Sequence, residues 1–181
     1  MKWCIFFVGT NCVGKTTLAK EIIRQHGGMY TEGKITYTTD GVIGLCGKYG
    51  GKYGGVDLLK QVKILPSLVE QALKRVDIVI CEGVKLHSFG LSLQRAIFTA
   101  QKQLIVFLYA PAKVIDERLQ QRTGSRANAA ILKDQRSCLN AIRKWSSIGV
   151  KTISFDTSKK SIEQIIGKIW DVIQAQDGAT K

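Results

Sequence analysis

The chain has 181 residues, of which 45% are hydrophobic and only two are proline, a composition that excludes disorder and collagen-like architecture and fits one compact domain spanning residues 1–181. Lysine and arginine outnumber aspartate and glutamate by 27 to 14, and the resulting net charge of +13 attracts polyanions. The five cysteines (Cys4, Cys12, Cys46, Cys81, Cys138) include no C-x-x-C pair, which argues against a disulfide framework or zinc site and for reduced thiols in a cytoplasmic protein.

The first element is the apolar run Trp3 to Val8, read as a buried strand; its six residues are too few for the apolar region of a signal peptide. Gly9-Thr10-Asn11-Cys12-Val13-Gly14-Lys15-Thr16 follows and matches G-x-x-x-x-G-K-[ST] between a strand and a helix, the context in which that motif binds phosphates. Its glycines let the backbone wrap a β-phosphate, and its amides and the helix N-terminus supply positive charge. Lys15 is expected to reach the β- and γ-phosphates of ATP and Thr16 to coordinate Mg²⁺, with Gly9, Asn11, Cys12, Val13, Gly14 and Thr17 completing the nucleotide cradle.

A helix is predicted over Lys15 to His26 and a strand over Lys34 to Thr39. Seven of the sixteen residues from Asp40 to Gly55 are glycine, so that segment reads as a loop. It carries a direct repeat, Lys48-Tyr49-Gly50-Gly51 and Lys52-Tyr53-Gly54-Gly55, in which cations alternate with aromatic faces as on surfaces that hold a phosphodiester and stack a base. Lys48, Tyr49, Lys52 and Tyr53, together with Arg95 further on, are the expected substrate-binding residues. Helical spacing from Val56 to Arg75, with a kink at Pro66, leads to the strand Val76 to Cys81. This strand ends at Glu82, which should emerge beside the phosphate loop to hold Mg²⁺ through water or orient the acceptor.

The remaining elements are a helix over Leu91 to Lys102, a strand over Leu104 to Tyr109, helices over Ala112 to Arg122 and Asn128 to Trp145, a strand over Val150 to Phe155, and a helix over Ser161 to Ala175. Strands alternating with helices predict a three-layer α/β domain with a mostly parallel central sheet. Arg118, Arg122 and Arg126 recur at spacing four on one helical flank and form a cationic lid, the means by which phosphoryl transfer is commonly stabilised.

With phosphate loop, acidic strand end, arginine lid and the terminal Ser154-Phe155-Asp156-Thr157-Ser158 in that order, the chain resembles the nucleotide and polynucleotide kinase branch of P-loop proteins. Among these it looks most like the small phage kinases that phosphorylate 5-hydroxymethyluracil in DNA. The resemblance implies ATP and Mg²⁺ as cofactors, Arg118 packing on adenine, Arg122 and Arg126 on transferring phosphate, and Asp156 and Thr157 bordering the base. It also implies a general base after the second strand, where Asp40 stands, although Asp40 equally suits an Asp-Gly turn with Gly41. DNA is the expected acceptor. The alternatives are a kinase of a free nucleoside, nucleotide or other small metabolite, and an ATPase or binding switch without a phosphoryl acceptor.

Overall fold

The computed structural model describes residues 1–51, 54–127 and 129–178. Seven strands form one sheet: β1 (Trp3–Val8), β2 (Met29–Glu32), β3 (Ile35–Thr38), β4 (Ile43–Cys46), β5 (Ile78–Glu82), β6 (Lys102–Tyr109) and β7 (Lys151–Asp156). Their spatial order is β2-β3-β4-β5-β1-β6-β7. The five strands from β4 to β7 across the sheet are parallel, whereas β3 runs antiparallel to both β2 and β4.

The central strands read as continuous apolar runs because both faces of the sheet are covered. Alternate residues of β1 illustrate this. Trp3, Ile5 and Phe7 pack in one core with Leu18, Ala19 and Ile22 of helix α1 (Lys15–Gln25) and Ile165, Ile166 and Ile169 of helix α6 (Ile162–Gly178). Cys4, Phe6 and Val8 pack on the opposite face with α2 (Leu65–Leu73), α3 (Leu91–Ile97) and α5 (Ala129–Ser147), through residues such as Val69, Ala96 and Trp145. Helix α4 (Ala112–Thr123) connects β6 toward α5. No helix among the described residues is long and apolar enough to cross a membrane.

The predicted α/β class and most elements are present, and the differences lie between residues 29 and 75. Ile43–Cys46 is a strand inside the predicted glycine-rich loop, and Met29–Glu32 is a strand where the sequence predicts no element. At Gly44 a side chain would come within 3.2 Å of Val76 and 3.3 Å of Ala72, so β4 carries a glycine where α2 presses close. The predicted helix from Val56 to Arg75 consists of two 3-10 turns, Gly55–Leu58 and Val62–Ile64, followed by α2. Pro66 lies in the first turn of α2, where its missing N–H would have no helical partner in any case; it starts a helix and kinks none. Helix α3 stops at Ile97, short of the predicted Lys102, which already belongs to β6.

One topological consequence reaches the chemistry. Because β3 is antiparallel to its neighbours, the residues that follow it lie where β4 and β5 begin, at the amino edge of the parallel sheet. The expected general base Asp40 is there. Its carboxylate accepts hydrogen bonds from the Thr38 hydroxyl at 2.7 Å and the Val42 amide at 3.1 Å and pairs with His26 Nδ1 at 2.6 Å, beyond the C-terminus of α1. A helix of eleven residues is about 16 Å long, and this length separates Asp40 from the phosphate loop. Asp40 is therefore a turn-forming residue, and the assignment of the base to it is corrected.

Candidate active site

The loop from Gly9 to Gly14 joins β1 to α1 at the carboxyl edge of the sheet, where the connection from β1 leads toward β2 and that from the adjacent β6 leads the opposite way to β7. Two backbone features shape it. A side chain at Gly9 would collide with the Leu108 carbonyl oxygen of β6, and Cys12 adopts φ 61, a left-handed conformation that a non-glycine residue holds only where its surroundings enforce it. Gly14, at φ 92, caps the N-terminus of α1.

Lys15 and Glu82 are buried charges in this edge. The Lys15 ammonium donates to the carbonyls of Gly9 at 2.8 Å and Thr10 at 2.7 Å, and burial lowers its pKa against the raising influence of Glu82 and Asp57. Glu82 is only 1% exposed, and its Oε1 accepts a hydrogen bond from the Thr16 hydroxyl at 2.9 Å. Burial pushes the Glu82 carboxyl up from 4.5 to about 7, with Lys15 and Thr16 opposing the rise and Asp57 adding to it.

Asp57, which the sequence reading placed inside a helix, belongs to this group. Its two carboxylate oxygens accept the backbone amides of Val84 at 2.9 Å and Lys85 at 3.1 Å, which fixes the side chain while leaving other lone pairs free. Gly83 makes the approach possible, since a side chain there would come within 2.7 Å of Asp57 Oδ1. Two further glycines carry the chain over the buried glutamate. Gly55, at φ 78, would place a side chain 2.5 Å from Glu82 Oε1, and a side chain at Gly47 would strike the backbone of Gly55. The glycine-rich composition thus serves close backbone packing on Glu82. An acid directly after such a segment was the signal available for Asp57.

A cleft of 710 Å³ joins these residues. On the β5 side of the phosphate loop it is lined by Asp57, Leu58 and Glu82, and on the β6 and β7 side by Arg118, Arg122, Thr157 and Lys160. The Arg118 guanidinium donates to the Thr157 hydroxyl at 2.9 Å, the Thr157 carbonyl at 2.7 Å and the Cys12 carbonyl at 3.3 Å, so it ties α4 to the loop after β7 and to the phosphate loop. Lys160 had no counterpart in the sequence reading. Asn11, Val13 and Thr17 line the cleft as expected.

Several expected site residues lie elsewhere. Asp156 turns its carboxylate onto the amide of Ser158 at 3.0 Å and its hydroxyl at 2.6 Å, shaping the loop from outside the cleft lining. Arg126 does not continue the flank of Arg118 and Arg122, because α4 ends at Thr123 and Gly124, at φ 72, redirects the chain; Arg126 is exposed and lies outside the lining. Tyr49 is 1% exposed and packed in the core beneath α1, so its ring is no open stacking face; among the described residues its hydroxyl has no hydrogen-bond partner. Burial raises the Tyr49 pKa well above its ordinary value. Lys48 is exposed, as is Arg95 on α3, which stands apart from the cleft lining. Lys52 and Tyr53 lie outside the described residues.

The oxygen donors at the phosphate loop fit Mg²⁺. Among the described residues no three His, Cys, Asp or Glu side chains gather into a cage, and Thr16 and Glu82 offer a hydroxyl and a carboxylate already in contact. Mg²⁺ is commonly held this way, by one or two protein oxygens with substrate phosphates and water supplying the rest.

No protein-family profile and no curated protein matches the sequence of this chain. Solved structures do match its fold. A sugar kinase from Janibacter sp. HTCC2649 has 16% identity and a TM-score of 0.58, with 96% of this chain and 95% of that chain covered. A gluconokinase from Sinorhizobium meliloti 1021 has 18% identity and a TM-score of 0.57 over 96% of this chain and 97% of that one. The YorR protein from Bacillus subtilis, in complex with phosphorylated GDP, has 20% identity and a TM-score of 0.56 over 97% and 98%. The chain has the fold of P-loop kinases.

Proposed function

We propose that this chain is an ATP-dependent kinase that transfers the γ-phosphoryl group to a hydroxyl of a small molecule. The observation that carries the reading is one cleft that holds Lys15, Thr16 and Glu82 at the phosphate loop, Arg118 and Arg122 on one side, and Asp57 on the other. Sheet edge, loop and cleft support a nucleotide lying from Thr157 across the loop, with its terminal phosphate toward Glu82. Lys15 would leave its loop carbonyls for the β- and γ-phosphates, the cationic role that phosphoryl transfer requires. A Mg²⁺ ion held by Thr16 and Glu82 would neutralise charge on those phosphates. Arg118 is the shelf for the base, and Arg122 meets phosphate oxygens.

The acceptor reaches the γ-phosphorus from the β5 side. Its hydroxyl oxygen forms the new P–O bond, the bond to the ADP oxygen breaks, and the hydroxyl proton passes to Asp57, whose carboxylate is held by the Val84 and Lys85 amides. A small acceptor is favoured over a DNA base because the alternating cation and aromatic surface expected of residues 48–53 has one of its rings, Tyr49, buried in the core. The likeness to a sugar kinase and a gluconokinase supports the same choice.

The test is incubation with γ-labelled ATP and Mg²⁺ and a panel of sugars, sugar acids, nucleosides, nucleotides and hydroxymethylated DNA, with the Lys15→Ala protein as control. Label should pass to a small hydroxyl compound only with intact Lys15. Label appearing in DNA alone would restore the polymer reading, and release to water alone would indicate an ATPase.

A further inference from the structure

The charges lining the cleft are unevenly divided. Arg118, Arg122 and Lys160 line its β6 and β7 side, and Lys15 stands at the loop. On the β5 side the lining among the described residues is Gly54, Asp57, Leu58 and Glu82, with no cation. Two described lysines near that side point their ammonium groups at backbone. Lys85 donates to the carbonyls of Asp57 at 3.2 Å and Leu59 at 2.7 Å, and Lys20 donates to the Gly51 carbonyl at 2.8 Å. Leu58 is 51% exposed and so offers open apolar surface inside the cleft, next to the proposed base.

An acceptor with a carboxylate or phosphate close to its reacting hydroxyl would bring that anion against Asp57 and Glu82, where among the described residues the lining holds no guanidinium or ammonium besides Lys15, the cation proposed for the phosphates of ATP. Recognition of such groups depends on forked or point cations within hydrogen-bond reach. An uncharged molecule meets no such penalty, and an apolar edge on it gains contact with Leu58.

We infer that the acceptor is an uncharged hydroxyl compound with an apolar edge, such as a nucleoside or a neutral sugar, and that Asp57 and Leu58 select it against sugar acids and nucleotides. This rests on the kinase reading above. The +13 charge of the chain does not oppose it, since the cations that line the cleft stand at the phosphate loop and on the β6 and β7 side, where ATP would lie.

Matched pairs isolate charge: each of the four common deoxynucleosides against its 5′-monophosphate, and glucose against gluconate, assayed with γ-labelled ATP and Mg²⁺. In the wild type the neutral member of at least one pair should have a kcat/KM roughly tenfold or more above its anionic partner. Leu58→Lys, at a half-exposed position that tolerates a longer side chain, should shrink that ratio by admitting the anion. The same pairs are tested for binding by their shift of Tm in the presence of a non-hydrolysable ATP analogue, which needs no turnover. Neutral-selective binding without transfer would sink the kinase reading, and with it the word acceptor, while leaving the selection of uncharged molecules by the Asp57 and Leu58 side standing. Preference for the anionic members, an unchanged ratio in Leu58→Lys, or no binding by any neutral member would overturn the inference itself.

Discussion

The two sides of the cleft are held by different kinds of contact. On the side of the phosphate loop, the loop itself, Lys15 and Thr16 come from one stretch of chain, and Lys15 bonds to carbonyls only five and six residues away. On the proposed acceptor side, Asp57 is fixed by amides 27 and 28 residues distant, Gly55 lies on Glu82, and Gly47 lies on Gly55. The first side depends on a local motif. The second depends on close backbone approaches between separate segments, so a single methyl group can disturb it.

The largest expected effect is on the side of the phosphate loop. Lys15→Ala should reduce phosphoryl transfer by about a thousandfold or more, because a cation at the transferring phosphate is lost. The fold should persist, since burial already disfavours the charged lysine. Rate assays paired with thermal melting would check both parts, and an unfolded variant would show that Lys15 holds the loop together.

Glu82→Gln should lower transfer by about a hundredfold through the weakened hold on the cation, and it gives a signature in stability as well. The folded protein without ligand keeps a proton on Glu82 up to about pH 7, whereas the unfolded chain releases it near 4.5. Between those values the native state binds more protons, so wild-type stability should fall as pH rises and level off above pH 7. The shift corresponds to about 3 kcal/mol as an upper value. Urea titrations at pH 5 and pH 8 should therefore show Glu82→Gln gaining on the wild type at the higher pH; parallel pH dependences would contradict the buried-carboxylate account.

A smaller effect tests the glycine packing. Gly55→Ala should cost about 2 to 3 kcal/mol, from positive φ together with collision against Glu82. Gly33→Ala shares positive φ but meets open space, and should cost only about 1 kcal/mol. Denaturant midpoints for the two variants would separate packing from backbone strain.

The phosphate-loop side was legible in the sequence because its signals are local: an apolar strand, an eight-residue motif and an amphipathic helix are contiguous from Trp3 to Gln25. Glu82 was legible for the same reason, as the acidic end of an apolar strand. The proposed acceptor side was not. A strand that contains Gly44 has weak β character on its own, and only the packing of Ala72 and Val76 against it explains the glycine. Once β2 and β4 are missed, β3 appears parallel and its carboxyl end points the wrong way, so Asp40, which the family resemblance sets beside the phosphate loop, stands instead at the opposite edge of the sheet. Spacing four among the arginines likewise could not reveal that Gly124 ends α4 before Arg126.

Asp57 and Asp40 are separated as candidates for the general base by comparing kcat of Asp57→Asn and Asp40→Asn in one assay with the acceptor that the panel identifies. Asp57→Asn should lose about a hundredfold to ten-thousandfold in kcat while retaining ATP affinity, the range expected for removal of a general base. Asp40→Asn, at the opposite edge of the sheet, should keep nearly all activity. Loss of activity in Asp40→Asn with a fully active Asp57→Asn would contradict the account.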